Sequence, residues 1–477
     1  MDNRLFSALT TNDVLTENGM PTHSTSNSPV LDLFFRMGGS RQMSENALTA
    51  DFSKAFASDP LLATKAMFYN RDVRGGQGER RSFRVFLKWL AQNHPEVVRK
   101  NLHLIPEYGR WDDVFVVFGT SLEENAIRLI KSALLENSNG LCAKWMPREG
   151  KAGYAEYGNK IRKYLDLRPR EYRKLLSRLT KVVENQMCAD AWNEIKYEQV
   201  PSIASNKYRT AFYRHDEDRY SKFVEKAIKG EVKVHADAIF PHDIVKKILN
   251  GIGWMGYGKG LSQTEKNSIQ AQWMNLPDYV GEGSFIPVCD VSGSMNGLPM
   301  EVSISLGIYL SERNKGTFKD GFITFSRRPQ LQILKGSLFD KVSQLSIAHW
   351  EMNTNLEAVF NLIVDSAVRD GLSQDELPEN ILILSDMQFD QCIHAPSENA
   401  MSMIERKYKS AGYKVPNVVF WNLRTSSGIP VKMHQSGTAL VSGFSPSIMK
   451  NLLAGEMNPV TVMLSTLNSE RYSKVTV

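Results

Sequence analysis

The chain has 477 residues, of which 42% are hydrophobic and 23% are charged, values that predict a globular protein of two or three domains. No apolar run approaches the roughly 20 residues of a transmembrane helix, so we expect an intracellular, cytoplasmic protein with no membrane partner. The net charge is +6, yet residues 281–477 hold 17 Lys and Arg against 19 Asp and Glu. The positive excess therefore lies in the first 280 residues, where a polyanionic partner would bind.

The spacing of cysteine and histidine argues against zinc sites, disulfide frameworks and transition-metal hydrolases. The four cysteines form no Cys-x-x-Cys pair, and the nine histidines form no His-x-x-x-His pair. Zinc sites, disulfide frameworks and transition-metal hydrolases are therefore not expected. Because no nucleophile with a general base can be nominated either, we predict that the protein is not an enzyme.

The first 250 residues favour helices. Residues 1–30 are rich in Ser, Thr and Asn and predict a flexible arm. From residue 31 to residue 250, apolar residues recur at intervals of three and four, and short Gly or Pro breaks separate the segments. This pattern predicts an α-solenoid of HEAT-like helical repeats at 31–250. The glycine-rich stretch 251–283 is expected to be a linker.

One turn between predicted helices combines glycines with arginines, in the order Arg71-Asp72-Val73-Arg74-Gly75-Gly76-Gln77-Gly78-Glu79-Arg80-Arg81. Glycine lets backbone N–H groups approach an anion, and a helix N-terminus favours negative charge, so this turn could hold a phosphate. The alternative is a helix–helix turn whose arginines pair with nearby acids such as Asp72, Glu79 and Asp113. The sequence leaves both interpretations open.

Two further stretches mix basic and aromatic residues. Residues 144–181 carry twelve Lys and Arg against four acids, with five aromatic residues between them, and residues 207–215 repeat the mixture. Cations neutralise phosphates and aromatic faces stack on unpaired bases, so these stretches predict a surface for single-stranded or structured RNA. The alternative is an ordinary solvated helix face above a buried apolar side. With the arginines of the turn, the candidate RNA-binding residues are Arg71, Arg74, Arg80, Arg81, Lys144, Arg148, Lys160, Arg162, Lys163, Arg170, Arg173, Lys174, Lys207, Arg209 and Arg214.

Residues 284–477 alternate between strand and helix patterns. Continuous apolar runs at 285–289, 381–385 and 418–423 predict buried parallel strands, with helical patterns between them. The alternation predicts a doubly wound α/β domain over 284–477. Its functional edge should lie at the carboxyl ends of the strands.

The run at 285–289 leads into the loop Asp290-Val291-Ser292-Gly293-Ser294. One carboxylate and two hydroxyls on one loop are oxygen ligands suited to a hard cation such as Mg²⁺, with Mn²⁺ or Ca²⁺ as the other candidates. Thr354 precedes a helical run and Asp386 ends the strand at 381–385, so both are expected at the same edge of the sheet. The alternative is that the loop residues only cap a helix that begins near residue 298.

An Asp-x-Ser-x-Ser loop, a later Thr and a strand-terminal Asp, in this order, resemble the metal-ion-dependent adhesion site of von Willebrand factor A domains. The resemblance implies that Asp290, Ser292, Ser294, Thr354 and Asp386 hold the metal ion. It also implies that the ion docks an oxygen ligand of a partner and does not catalyse a reaction. The segment Met352-Asn353-Thr354-Asn355 lacks the flanking glycines expected for that family.

The chain as a whole resembles the TROVE-type Ro ring proteins, and more closely a Ro-like branch found in plants, bacteria and viruses. The segments that carry this resemblance are R-G-G-Q-G-E-R at 74–80, Y-G-R-W-D-D at 108–113, K-W-M-P-R-E at 144–149, V-P-S at 200–202 and S-D-M-Q-F-D at 385–390. The resemblance implies a ring of helical repeats closed by the A domain, with a basic hole for single-stranded RNA ends. It further implies an outer basic surface for structured RNA, and a role in RNA scaffolding or quality control.

Two functional hypotheses follow. The first is an RNA-binding scaffold, in which the helical half binds RNA and the A domain uses Mg²⁺ to dock an acidic or phosphate ligand. The second is a metal-dependent protein interaction or structural assembly module without RNA binding, in which an acidic protein ligand contacts the metal site.

Overall fold

The computed structural model describes residues 13–148, 150, 153–252, 260–325, 329–347, 354–393, 395–424, 428–452 and 457–477. These residues form two compact units. The α/β unit consists of Met1–Met43 and Val224–Ser469, and the helical unit consists of Ser44–Phe223 and Glu470–Val477. Each unit is therefore built from two segments that are distant in the sequence.

The secondary-structure elements are numbered in chain order over the described residues. The α-helices are α1 (Pro29–Met37), α2 (Glu45–Ser58), α3 (Pro60–Arg71), α4 (Arg81–Asn93), α5 (Pro95–Asn101), α6 (Ile105–Tyr108), α7 (Glu123–Lys131), α8 (Gly140–Trp145), α9 (Ala155–Tyr164), α10 (Pro169–Leu179), α11 (Val183–Cys188), α12 (Ser202–His215), α13 (Glu217–Ile228), α14 (Pro241–Ile252), α15 (Gln263–Met274), α16 (Leu298–Arg313), α17 (Leu338–Ile347), α18 (Leu356–Asp370), α19 (Ala400–Ser410), α20 (Met449–Leu452) and α21 (Pro459–Leu467). The strands are β1 (Asp13–Leu15), β2 (Pro21–His23), β3 (Phe285–Cys289), β4 (Gly321–Thr324), β5 (Leu331–Ile333), β6 (Asn380–Ser385), β7 (Asn417–Asn422) and β8 (Thr438–Ser442).

The helical unit confirms the prediction of successive short helices. Helix α2 ends at Ser58, and the side chain of Asp59 then caps α3 by accepting a hydrogen bond from the backbone N–H of Leu62 at 2.9 Å. Helix α2 packs against both α3 and α4. The rings of Phe52 and Phe86 stack with their centroids 4.8 Å apart. Polar caps and apolar faces thus fold this half as the sequence pattern indicates.

The glycine-rich turn after α3 is tightly packed. A Cβ atom at Gly76 would overlap the carbonyl oxygen of Tyr69, so only glycine fits there. The N–H of Gln77 donates to that same carbonyl, and the N–H of Gly78 donates to the carbonyl of Asp72. Because these donors are used inside the turn, the glycines serve packing. This favours the interpretation as a helix–helix turn over a phosphate cradle.

The C-terminal segment of the helical unit fixes this turn. The carboxylate of Asp72 has no exposed surface and accepts hydrogen bonds from Arg471 Nη2 at 2.6 Å and from Tyr472 Oη at 2.9 Å. Asn101 accepts a further bond from the N–H of Thr476 at 3.0 Å. Residues 470–477 therefore complete the helical unit with polar contacts to its buried acid.

The α/β unit contains a six-stranded sheet in the order β5-β4-β3-β6-β7-β8. Every neighbouring pair is parallel except β4 and β5, which pair antiparallel at the edge. All residues of β3 and β6 are buried, as expected for continuous apolar strands at the centre of a parallel sheet. Helix α16 packs against β3, and helices α1 and α21 pack against β8. The predicted fold class, a helical half followed by an α/β sheet domain, is confirmed.

The N-terminal segment differs from the predicted flexible arm. Strands β1 and β2 form a hairpin, and Met20 beside them is 1% exposed. Helix α1, which we assigned to the helical repeats, instead packs on β8, and Asn422 at the end of β7 donates from Nδ2 to the carbonyl of Phe35. The polar residues that suggested disorder hydrogen-bond to the unit: Thr22, for example, donates to the carbonyl of Ile429 at 2.9 Å. Residues 1–12 lie outside the described chain.

The predicted linker is also largely folded. Helix α15 begins with a capping box, in which Ser262 and Glu265 satisfy each other's backbone N–H groups. Its Trp273 is 2% exposed and donates from Nε1 to Glu312 at 2.7 Å. Helix α14, which we placed in the helical repeats, packs against α16. The helical unit therefore gives way to the α/β unit near residue 223 and not near 250, and residues 253–259 lie outside the described chain.

None of the helices in the described ranges has both the length and the apolar character required to cross a membrane.

Candidate functional site

Asp290 is the first residue after β3 and is held in a single orientation. Its backbone N–H donates to the carbonyl of Leu384 at 2.9 Å. Its Oδ1 accepts from the N–H of Ser292 at 2.9 Å, and its Oδ2 accepts from Oγ of Ser385 at 2.6 Å. Burial, reinforced by the nearby carboxylate of Asp386, raises the pKa of Asp290 to about 6. The carboxylate thus lies fixed at the carboxyl edge of the sheet.

Asp386 is the first residue after β6, the strand next to β3, and is 2% exposed. Its Oδ1 accepts a hydrogen bond from the N–H of Gln388 at 3.1 Å, and Oγ of Ser385 accepts from the N–H of Met387 at 3.1 Å. Met387 has a φ angle of +64°, which costs a non-glycine residue about 1 kcal/mol or more. Such strain persists where the surroundings fix the backbone, so this loop is preorganised.

Thr354 lies beside the same loop. Its carbonyl oxygen accepts a hydrogen bond from the N–H of Asp390 at 3.1 Å, and Thr354 is 1% exposed. The next residue, Asn355, caps α18 by accepting from the N–H of Ala358 at 2.8 Å. The loops after β3 and β6 and the segment before α18 are therefore joined to each other, as the sequence predicts. Met352 and Asn353 lie outside the described residues.

The hydroxyls of the two serines of the first loop hydrogen-bond to each other. Oγ of Ser292 and Oγ of Ser294 lie 3.0 Å apart. Helix α16 begins at Leu298 with Gly297 at its N-cap, and no side chain caps it. The alternative that Asp290, Ser292 and Ser294 merely cap this helix is therefore wrong. The hydroxyls remain at the sheet edge beside the carboxylate.

The donor set fits a hard divalent cation. Asp290 and Asp386 are both buried, and neither has a Lys, Arg or His partner within 4 Å among the residues that the structure describes. Buried carboxylates are normally paired or bound to metal. Across the described ranges no three His, Cys, Asp or Glu side chains cluster as a metal centre. Hydroxyl and water oxygens would therefore have to complete the coordination here, as Mg²⁺ tolerates.

The N-terminal hairpin holds the loop that carries Asp386. Thr16 donates from Oγ1 to the carbonyl of Phe389 at 2.7 Å, and Asn18 donates from Nδ2 to the carbonyl of Gln388 at 2.7 Å. The side chain of Gln388 in turn accepts from the N–H of Glu17 at 2.6 Å. No sequence signal linked these residues, because they are more than 360 positions apart.

Two other residues of the site were missed. Ser385 bonds to Asp290 and could have been suspected from its place directly before Asp386. Arg424 follows β7 and donates from Nη1 to the carbonyl of Ser294. A cation therefore lies at the rim of the candidate metal centre. A lone arginine after a strand carries no sequence signal for this role.

The candidate RNA-binding residues divide into two groups in the helical unit. Eleven are exposed, and they are Arg74, Arg80, Arg81, Lys144, Arg148, Lys163, Arg170, Arg173, Lys174, Lys207 and Arg214. On α10 the exposed cations lie opposite the buried residues Tyr172, Leu175 and Leu176. That pattern also fits the alternative of a solvated helix face, so exposure alone does not distinguish the two interpretations.

The other four candidates are engaged within the protein. Arg71 is 2% exposed and donates from Nε to Asp113 at 2.7 Å, and burial lowers its pKa despite that carboxylate. Arg209 is 5% exposed and bonds to Asn206. Lys160 pairs with Glu123 at 3.0 Å, and Arg162 donates to the carbonyl of Leu167 at 2.8 Å. Arg71 and Arg209 are thus structural residues and not an RNA-contact surface.

Comparisons with known proteins identify domain families and a viral protein that match this chain. A domain of unknown function (DUF2828) matches residues 16–116 and 147–283, and a second domain of unknown function (DUF7788) matches residues 284–473. A protein of Acanthamoeba polyphaga mimivirus, "Uncharacterized protein L728", is 30% identical over 510 residues, which cover 95% of this chain and 86% of the viral protein.

One solved structure is also similar. The crystal structure of the Deinococcus radiodurans RO (RSR) protein matches 94% of this chain and 100% of that chain, at 12% sequence identity and a TM-score of 0.47.

Proposed function

The chain belongs to the same protein family as the mimivirus relative, and it joins a DUF2828 region to a DUF7788 domain. From this premise we propose that the protein is an RNA-binding scaffold and not an enzyme. In this proposal the helical unit binds RNA through its exposed cations. The α/β unit holds a divalent cation, Mg²⁺ in the first place, that docks an oxygen ligand of a partner.

The observation that carries RNA binding is the distribution of charge between α8 and α11. Residues 144–181 hold twelve Lys and Arg against four acids. Arg148, Arg170 and Lys174 are exposed there, and none of them has a carboxylate within 4 Å among the residues that the structure describes. Elsewhere in the same unit, Arg71 and Arg84 pair with Asp113. Cations left without acids attract a polyanion such as RNA.

Binding of labelled single-stranded RNA to the full chain tests this proposal. We expect the logarithm of the affinity to fall linearly with the logarithm of the salt concentration, by about 0.7 for each phosphate contacted. Weak affinity that does not change with salt would contradict the proposal. If RNA fails to bind while an acidic peptide binds in the presence of Mg²⁺, the alternative of a protein interaction module is favoured.

The docking role of the α/β unit is supported by the two buried carboxylates, Asp290 and Asp386, at the ends of neighbouring strands. The hydroxyls of Ser292, Ser294 and Thr354 lie on the segments joined to them. A cation bound by these oxygens would keep a coordination position for a carboxylate or phosphate of the partner. Arg424 at the rim adds positive charge that suits the same ligand.

Calorimetric titration with Mn²⁺ and Mg²⁺ tests the metal site directly, without a partner. We expect one cation to bind per chain, and an affinity lower by at least about 100-fold in a variant that lacks the Asp290 carboxylate. If the wild-type chain shows no binding at millimolar metal, the docking proposal fails, and RNA binding by the helical unit is still measurable.

A further inference from the structure

Two open clefts are lined by alternating residues of one short segment of the helical unit. The segment is 177–182, which spans the end of α10 and the residues that follow it. The first cleft, of about 650 Å³, is lined by residues 138–141 on one side and by Arg178, Leu179, Lys181 and Val182 on the other. The second cleft, of about 360 Å³, is lined by Arg148, Ser177, Thr180, Asn185, Cys188 and Ala189.

The charge of the cleft walls is one-sided. Arg178 and Lys181 line the first cleft and Arg148 lines the second, while none of the lining residues is acidic. None of these three cations has a carboxylate within 4 Å in the ranges that the structure describes. They differ in this respect from Lys160 in the same unit, which pairs with Glu123. Both clefts therefore attract an anion without first having to break an ion pair.

The neutral groups of the walls suit a nucleotide. Leu141 is 61% exposed in the first cleft and offers an apolar surface for a base. In the second cleft the hydroxyl of Thr180 is buried without a hydrogen-bond partner among the described residues, and Ser177 and Asn185 add polar groups. Hydroxyls and amides next to a cation can bind the ribose and phosphate of an RNA strand.

We propose that the segment 177–182 is a ridge over which single-stranded RNA passes, with one nucleotide in each cleft. Arg178 and Lys181 bind the phosphate in the first cleft, and Arg148 binds the phosphate in the second. Leu141 contacts a base. The proposal rests on RNA binding by the helical unit, and it adds a location and two residues, Arg178 and Lys181, that the sequence pattern did not single out.

The second cleft carries its own chemical probe. Cys188 is exposed, and the other three cysteines, Cys142, Cys289 and Cys392, are buried. A maleimide should therefore label the native full-length chain at Cys188. We expect a short oligouridylate to slow this labelling at least several-fold at concentrations that saturate binding, because the RNA covers the cleft.

A charge-matched pair of variants tests the first cleft. R178Q/K181Q should lower the salt dependence of RNA affinity by about 0.7, since the two cations bind one phosphate and each phosphate neutralised on a single strand contributes about 0.7. The control K54Q/K88Q removes two exposed cations from α2 and α4 of the same unit and should leave the slope unchanged. Thermal melts verify that both variants fold.

The outcomes separate this inference from the proposed function. If RNA binds with a salt-dependent affinity, yet Cys188 stays equally reactive and R178Q/K181Q behaves like K54Q/K88Q, then RNA binds elsewhere and the ridge is wrong. If no RNA binds, the inference and the proposed function both fail. Protection of Cys188 together with the reduced slope supports the ridge.

Discussion

Ser385 donates a hydrogen bond of 2.6 Å from its Oγ to Oδ2 of Asp290, and this bond joins the ends of the neighbouring strands β3 and β6. The same serine Oγ accepts from the N–H of Met387 and so also shapes the loop that carries Asp386. One hydroxyl therefore sets the spacing of the two carboxylates that we assign to the cation. Four predictions follow from the contacts of this site and of the two units.

Replacing Asp290 by Asn should strongly weaken cation binding and keep the fold. The amide retains the shape of the carboxylate and can still accept from the N–H of Ser292, but it removes one of two charged ligands. We expect Mn²⁺ affinity to fall by at least about 100-fold, since even outer-shell partners of a ligand contribute about 10- to 100-fold. Calorimetry measures the change. The matched control is Asp365→Asn on the exposed face of α18, and an equal loss in that variant would contradict the assignment.

Replacing Asn18 by Ala should weaken cation binding, although Asn18 is not one of the candidate ligands. Asn18 does not touch the candidate ligands, but its Nδ2 holds the carbonyl of Gln388, two residues after Asp386. We expect Mn²⁺ affinity to fall by about tenfold or less, together with faster hydrogen exchange of residues 386–391. The control Asn267→Ala removes a surface amide of α15. Unchanged affinity with unchanged exchange would show that the hairpin does not position the loop.

Replacing Arg471 by Met should destabilise the helical unit. The change leaves the carboxylate of Asp72 buried and without its guanidinium, a defect that costs about 3–5 kcal/mol when fully buried. Because Arg471 is 37% exposed, water can replace part of the loss and we expect about 2 kcal/mol. Urea unfolding measures the free energy. The double variant Asp72→Asn, Arg471→Met should recover part of that loss, and strict additivity of the two changes would argue against a direct coupling.

His242 should make the α/β unit sensitive to acid. Burial lowers the pKa of His242 to about 4; the nearby Asp243 opposes the shift, and Arg41 and Lys246 add to it. The unfolded chain, with an ordinary pKa near 6.5, takes up the proton first, so stability is full above about pH 6.5 and declines as the pH falls toward 4. Between pH 7 and pH 5 the loss from this group is about 2 kcal/mol.

The variant His242→Phe tests whether His242 causes this loss of stability at low pH. It keeps a ring beside Phe240 and Phe444 and removes the titrating group. Urea unfolding at pH 7 and pH 5 should show a smaller difference for this variant than for the wild-type chain. Replacing the exposed His235 by Gln should leave the difference unchanged. If the His242→Phe variant lost as much stability between pH 7 and pH 5 as the wild-type chain, the prediction would be contradicted.

Sequence patterns were sufficient where neighbours along the chain decide the structure. The strand predicted at 285–289 is β3 without any change of bounds, and the one predicted at 381–385 is β6 with one further residue, because consecutive apolar residues can only be buried on both faces. Asp290 and Asp386 were likewise placed at one edge, since parallel neighbouring strands end on the same side of a sheet.

Partners that are distant in sequence could not be predicted in this way. Arg71 and Arg74 look alike in their turn, yet Arg71 is buried against Asp113, 42 positions away, whereas Arg74 is exposed. The polarity of residues 13–28 suggested a flexible arm, because composition does not record that the hydroxyls of Thr16 and Thr22 find backbone carbonyls near residues 389 and 429. In both cases the contact, and not the residue type, decides the role.

Each unit combines segments that are distant in the sequence, and this constrains the order in which the two units can complete their folding. Residues 470–477 emerge from the ribosome only after every strand of the sheet has been translated, yet they supply the guanidinium and phenol that Asp72 binds. The helical unit therefore cannot complete its fold until more than two hundred residues of the other unit have been synthesised. Until then the carboxylate of Asp72 lacks the guanidinium of Arg471. Its last folding step follows the synthesis of the other unit, so a nascent chain stalled before residue 470 should be the species most in need of a chaperone.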